Sequence, residues 1–187
     1  MTILRGARVT LRPWRDADLA PFAALNADPR VMEFLPAAAS RDEAAAMMAR
    51  MRARLAQQGW GHWALDVDGL CIGFIGLSAP TFDAHFTPCI EVGWRLAFAA
   101  WGHGYATEGA QLALDHGFSQ LGLDEIVSFT TTANLRSRRV MERLGMTHDP
   151  ADDFDHPRLP GHPLQPHVLY RLPRRQWASA AKSPGCT

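Results

Sequence analysis

In "ARVTLRPW" (residues 7–14) apolar and polar positions alternate with a period of two, which predicts a first strand. "RDADLAPFAALNADP" follows as a short helix, capped by Asp16 or Asp18, that must stop near Pro29. In "SRDEAAAMMARMRARLAQQG" the Ala, Met and Leu positions recur at helical spacing; Ser40 and Glu43 form a capping box and Gly59 stands where a C-cap glycine belongs. "WGHWALDVDGLCIGFIGLSAP" returns to alternation on both sides of "DVDG" and reads as a hairpin. "CIEVGWRLAF" is a fourth strand, with Gly93 at a position where a side chain normally packs. A glycine there marks a bulge or the close approach of a ligand or another backbone.

The second half continues the alternation of element types. After "WGHG" an Ala/Leu-rich helix runs to about Leu121 and stops at Gly122. "DEIVSFTTT" is a fifth strand, and "ANLRSRRVMERLGM" is a helix from about Asn134 to Gly145. A strand, a proline-rich loop over about 155–167 and a last strand at His167 to Leu172 complete the pattern. The prolines remove amide donors, so the loop is expected to stay outside the sheet ladder and to border the acceptor of any reaction. The tail "ASAAKSPGCT" reads as unstructured. With neither repeat nor linker, the chain is expected to be a single domain over 1–175 with a disordered tail over 176–187.

Composition narrows the classes. At 187 residues, with 47% hydrophobic and 20% charged, the chain can bury an ordinary globular core. A net charge of zero argues against a general nucleic-acid binder. Cys71, Cys89 and Cys186 are odd in number and far apart, which supports neither a disulfide framework nor a thiolate zinc site. No apolar run reaches about 18 residues and no export signal is visible, so a cytoplasmic protein without a membrane partner is expected.

The chemistry concentrates at "AAWGHGYATEGAQLAL". Two glycines flank His103 where a helix begins, and helix N-termini bind anions. A P-loop would need Gly-Lys-Ser/Thr there, and the only lysine is Lys182. A dinucleotide turn would need a third glycine where Thr107 stands, early in a repeated βαβ array. The remaining functional reading is a pyrophosphate held by the amides of Gly102, His103, Gly104, Tyr105, Ala106 and Thr107. The alternative is a turn whose glycines only permit tight packing.

"WGHGYATEG" after "IEVGWRL", followed one strand later by "NLRSRRVMERLGM", resembles the GCN5-related N-acetyltransferases (GNAT), and within them the ribosomal-protein N-terminal acetyltransferase-like branch of RimJ/RimL type. The resemblance runs from about Thr10 to Arg171. It implies the acyl-CoA N-acyltransferase fold: an α/β (α+β) domain with a mixed, strongly curved, splayed sheet of six to seven strands and helices on both faces. It implies acetyl-CoA as cosubstrate, a primary amine as acceptor (a protein N-terminal α-amine or a small amine), and a monomer or homodimer. Gly102 to Thr107 would then hold the CoA pyrophosphate. The family's usual Gln or Arg ahead of the glycine pair is missing, because Trp101 directly precedes Gly102 and alanines precede Trp101; Arg138 or Arg139 could supply a cation near the 3′-phosphate.

By the same resemblance, backbone amides of the fourth strand from Gly93 through Trp94, Arg95 and Leu96 would hold the thioester oxygen, and Asn134 would bind the pantetheine amide. Ser137 would meet the sulfur end of the cofactor or its phosphates and, with no tyrosine in "SRRVMERLG", would share with water the task of protonating the thiolate. Glu91 could take the amine's proton directly or through water, its alternative being an ion pair with Arg95. Asn134 and Ser137 are also good helix caps. An α-amine near pKa 8 is about a tenth neutral at pH 7, a far smaller demand on a base than a lysine-type amine. Trp60, His62, Trp63 and Phe34 are candidate walls of the acceptor site, aromatic positions that also suit a core. His156, His162 and His167 match no usual zinc spacing, so no metal is expected. Cys71 and Cys89 lie in strands and are not expected to be nucleophiles, which favours direct transfer over an acetyl-enzyme. A CoA-binding sensor without turnover is the alternative function.

Overall fold

Each alternating stretch forms a strand and each 3.6-period stretch a helix, in the order β1 (Leu4–Arg5), β2 (Thr10–Arg12), α1 (Leu19–Ala27), α2 (Pro29–Met32), α3 (Arg41–Gln58), β3 (His62–Val67), β4 (Leu70–Ser78), β5 (Glu91–Leu96), α4 (Tyr105–Ser119), β6 (Glu125–Thr131), α5 (Leu135–Arg143), β7 (Thr147–His148), β8 (Phe154–Asp155), β9 (Pro166–Pro173) and α6 (Arg174–Ala180). These assignments come from a computed structural model that describes residues 2–180. The chain forms two compact units, Met1–Ser78 with Val92–Ala113, and Ala79–Glu91 with the chain from Leu114 on.

The first unit carries the strand order β1-β2-β3-β4-β5. β3 and β4 meet through a two-residue turn in which Asp68 (φ 51°) and Gly69 (φ 85°) are both left-handed, the geometry that matches the twist of a hairpin. α3 starts on the capping box of Ser40 and Glu43 and ends on left-handed Gly59 (φ 77°). Leu11, Phe22, Trp63, Leu65, Ile75 and Leu77 are fully buried. Within this core Arg12 is only 4% exposed. Its Nη1 and Nη2 donate to Asp18 at 2.7 and 2.9 Å and its Nε to Asp66 at 2.7 Å. Hydrogen bonding to Asp18, against the cost of burial, raises the Arg12 pKa; burial would raise that of Asp18, but the Arg12 bonds outweigh it and the carboxyl lies below its usual range.

In the second unit β6 and β7 both pair antiparallel with β9, and β8 pairs with β9 at Phe154↔His167 and Asp155↔Pro166. Glu91 pairs in parallel with Val127, so the sheet is mixed, as the resemblance implied. Among the described residues nine strands are present rather than six to seven, because β1 and β8 are two-residue strands too short to show a period. The proline-rich loop also departs from expectation. Its ends join the ladder, His156 N–H donating to the Gln165 carbonyl at 2.8 Å, because Pro166 lacks a donor but offers its carbonyl to Thr132 N–H at 3.1 Å. Residues 176–180, read as part of an unstructured tail, belong to α6, which the Trp177 indole ties to Asp115 at 2.8 Å. Residues 181–187, with Lys182 and Cys186, lie outside the described residues.

Replacing Arg12 with Met leaves two buried carboxylates without their cation. Urea unfolding is expected to show a loss of about 3–5 kcal/mol; a loss below about 1 kcal/mol would show that the pair contributes little.

Candidate active site

The Gly-His-Gly turn lies in the first unit. Gly102 (φ 80°) and Gly104 (φ 81°) are both left-handed, a conformation that costs glycine nothing, and they reverse the chain into α4. The first helical bond of α4 runs from Glu108 N–H to the Gly104 carbonyl at 3.1 Å, so the preceding amides lie outside the i→i−4 ladder. Trp101 donates its indole N–H to the Leu96 carbonyl at 2.9 Å and fastens the turn to the end of β5.

A cation that no local pattern indicated stands beside the turn. Arg8, between β1 and β2, donates its Nε to Glu108 Oε2 at 2.8 Å, its backbone N–H to Glu108 Oε1 at 2.7 Å and its Nη1 to the His103 carbonyl at 2.9 Å. Its side chain is 54% exposed, and its Nη2 lies 3.3 Å from where a Cβ on Gly104 would stand. Burial would raise the Glu108 carboxyl pKa, but the bonds from Arg8 and Val9 outweigh it and hold the group below its usual range. His103 and Tyr105 rings stack at 5.5 Å beside the guanidinium.

Also in the first unit, β5 carries Gly93, Trp94, Arg95 and Leu96. A Cβ on Gly93 would have only His62 Nε2 nearby, at 4.0 Å, so the strand leaves room at this position. Arg95, the partner offered for Glu91, donates instead to Asn26 Oδ1 and lies over the Phe74 ring at 5.5 Å. The His62 ring packs edge-on to Phe74 at 5.1 Å. Burial, aided by the charges of Arg54 and Arg95, lowers its pKa to about 4. Trp63 is 0% exposed and belongs to the core rather than to the wall of an open site; Trp60 and Phe34 are half-buried.

In the second unit Glu91 is half-buried at the start of β5. Asn134 caps α5: its Oδ1 accepts from Ser137 N–H at 3.2 Å, and its Nδ2 donates to Thr130 Oγ1 at 3.0 Å and Ser137 Oγ at 3.1 Å. The cap therefore fixes both side chains. Arg138 donates to the Tyr170 hydroxyl and the Thr132 carbonyl, while Arg139 is exposed. His156 and His167 sit 4.9 Å apart within a cluster of Phe82, Phe129 and Phe154, and burial lowers both pKa values. Burial pushes the Cys71 and Cys89 thiols up to about 11, which keeps them protonated at neutral pH.

The family model described as an acetyltransferase (GNAT) domain matches residues 8–147, a span that draws on both units, and the chain belongs to that family. Over 167 residues it is 30% identical to the FsC-acetyl coenzyme A-N(2)-transacetylase of Aspergillus fumigatus, covering 84% of this chain and 70% of that protein. It is similar to the crystal structure of an acetyltransferase from Agrobacterium tumefaciens, with 30% identity, a TM-score of 0.74 and coverage of 92% and 94% of the two chains. It shares the fold of Mycobacterium smegmatis RimJ, solved with CoA-disulfide, with a TM-score of 0.72 at 20% identity over 99% and 96% of the chains. The protein is thus an N-acetyltransferase. No helix among the described residues is long and apolar enough to cross a membrane.

A folded-state His62 pKa of about 4 lies below the 6.5 of the unfolded chain. The unfolded state then binds the extra proton first, and stability is lost as pH falls through 6.5 toward 4. From pH 7 to pH 5 this one group should remove about 2 kcal/mol, read as the difference in pH slope between the wild-type protein and His62→Gln in urea unfolding. Identical slopes would place His62 in water.

Proposed function

We propose that the protein moves the acetyl group of acetyl-CoA to a primary amine, either a protein N-terminal α-amine or a small amine, by direct transfer in a ternary complex. The observation that carries the cofactor half of this reading is the turn at 102–107: two left-handed glycines, unladdered amides at the start of a 15-residue helix, and Arg8 alongside. The GNAT family uses acetyl-CoA, and the fungal relative is named for transfer from acetyl coenzyme A to an N(2) position. In this reading the amides of Gly102 to Thr107 hold the pyrophosphate, and Arg8 takes the part for which Arg138 and Arg139 were candidates. Asn134 binds the pantetheine amide with whatever capacity its capping leaves.

The amine nitrogen attacks the thioester carbon while backbone amides over Gly93 to Leu96 stabilise the oxygen. Glu91 takes the amine proton, directly or through water, as the carbon–sulfur bond breaks, and Ser137 or water returns a proton to the thiolate. Thiols held near pKa 11 support transfer without an acetyl-enzyme. Within the family we assign the chain to the RimJ/RimL-type branch, acting in the cytoplasm as a monomer or homodimer. The exposed His162 is the acceptor-side candidate of the proline-rich loop, since His156 and His167 are taken up by the aromatic cluster.

Gly104→Val places a β-branched side chain at φ 81° and against Arg8, and should abolish the rise in melting temperature that CoA gives. A normal rise in a folded variant would move the cradle elsewhere. Glu91→Gln should lower thiol release from acetyl-CoA and amine by roughly 10²-fold with little change in CoA binding. Unchanged turnover at pH 7 would remove Glu91 from the reaction.

A further inference from the structure

Two arginines of the first unit, Arg12 buried and Arg95 half-buried, are treated differently. Arg12 is surrounded by the carboxylates of Asp18 and Asp66. Arg95 forms no ion pair with a carboxylate among the described residues; its polar partner is the neutral Oδ1 of Asn26, and its flat side lies over Phe74. Burial alone draws its pKa down to about 10, with no anion acting in the other direction. Asn26 is 0% exposed, and its Nδ2 is used on the Phe22 carbonyl at 2.7 Å, so its Oδ1 is aimed at the guanidinium rather than free to turn. His62 stays neutral down to about pH 4 and adds no second charge. A guanidinium has five N–H donors. One is satisfied by Asn26, which leaves a donor-rich cation two residues along β5 from Gly93, on the same face of the strand.

We propose that Arg95 is the anchor for a carboxylate on the acceptor, so that this enzyme acetylates amines that also carry a carboxylate, such as free α-amino acids or related amino acids. The inference rests on the reading that transfer occurs beside Gly93. A desolvated cation without a counter-ion is unfavourable, and an arriving carboxylate relieves that cost through two parallel N–H···O bonds of the strong, charge-assisted kind. The planar fork, already oriented by Asn26 and Phe74, loses little freedom when it binds, and a neutral amide in place of the carboxylate could not supply the charge.

The test uses the full chain and two probes that carry no amine, phenylacetate and phenylacetamide, with affinities read by calorimetry. Phenylacetate is expected to bind at least roughly 10-fold more tightly, and Arg95→Met to erase the difference. Asn26→Asp supplies an internal counter-ion at the cost of the bond to the Phe22 carbonyl; in the folded variant it should weaken phenylacetate by a similar factor, and it keeps the proposal falsifiable if Arg95→Met does not fold. In turnover, kcat/KM per neutral amine for phenylalanine over phenylalaninamide should be roughly 10- to 100-fold in the native enzyme and near one in Arg95→Met. Equal binding of the two probes, or a carboxylate preference that survives both variants, overturns the proposal. Amines acetylated without any carboxylate preference would sink the anchor and leave the transferase reading standing. Carboxylate binding that depends on Arg95 in a protein that acetylates no amine would do the reverse.

Discussion

A guanidinium shut away from water needs its charge balanced, and around Arg12 that need organises the first unit. Asp18 stands at the entrance to α1 and Asp66 lies in β3, so one side chain on β2 ties a helix and two strands to a common point. α1 carries Phe22 and Asn26, and its Phe22 ring meets Phe74 of β4 edge-on at 6.1 Å. The position of Asn26, and through it the orientation of Arg95, follows from how α1 is anchored. The two arginines show the same physics with different outcomes: Arg12 is compensated by two carboxylates, and Arg95, with a neutral partner, is the proposed place for an arriving anion.

The turn at 102–107, proposed to hold the cofactor, raises a second electrostatic question. Glu108 in the first turn of α4 suits the helix dipole, yet a carboxylate beside an anion-binding turn would repel a phosphate. Arg8 removes the conflict. It neutralises Glu108 and at the same time grips the His103 carbonyl, so that one residue from the N-terminal segment sets both the charge and the shape of the turn. Val9 N–H adds a further bond to the same carboxylate at 3.3 Å, which makes Glu108 a junction between the N-terminal strands and α4.

In the second unit ring packing works beside ion pairs such as Arg171 with Asp152 at 2.6 Å and Glu125 at 2.8 Å. Phe82, Phe86, Phe129 and Phe154 meet at centroid distances of 4.8 to 6.3 Å, and His156 and His167 are drawn into the same cluster. Arg158 caps it, lying over Phe82 and donating to the Thr81 hydroxyl at 2.6 Å. The proline-rich segment is therefore held by its aromatic residues at the base and by successive turns at its tip, where Leu159, His162 and Gln165 donate back to His156, Leu159 and His162.

What the sequence determined by itself is what neighbours within a few residues decide. The Ser40 and Glu43 capping box, the Asp68–Gly69 hairpin, the glycine turn into α4 and the Asn134 cap each rest on contacts no more than about one turn long. Tertiary structure alone decided which of many arginines would meet a distant partner. Arg8 meets Glu108 across 100 residues and Arg95 meets Asn26 across 69, and nothing in a local window separates them from the arginines that face solvent. It also decided that Trp63 is core, that β8 pairs with β9 and that α6 follows the last strand, because a short element has too few residues to show a period and becomes stable only against a partner the chain supplies from far away.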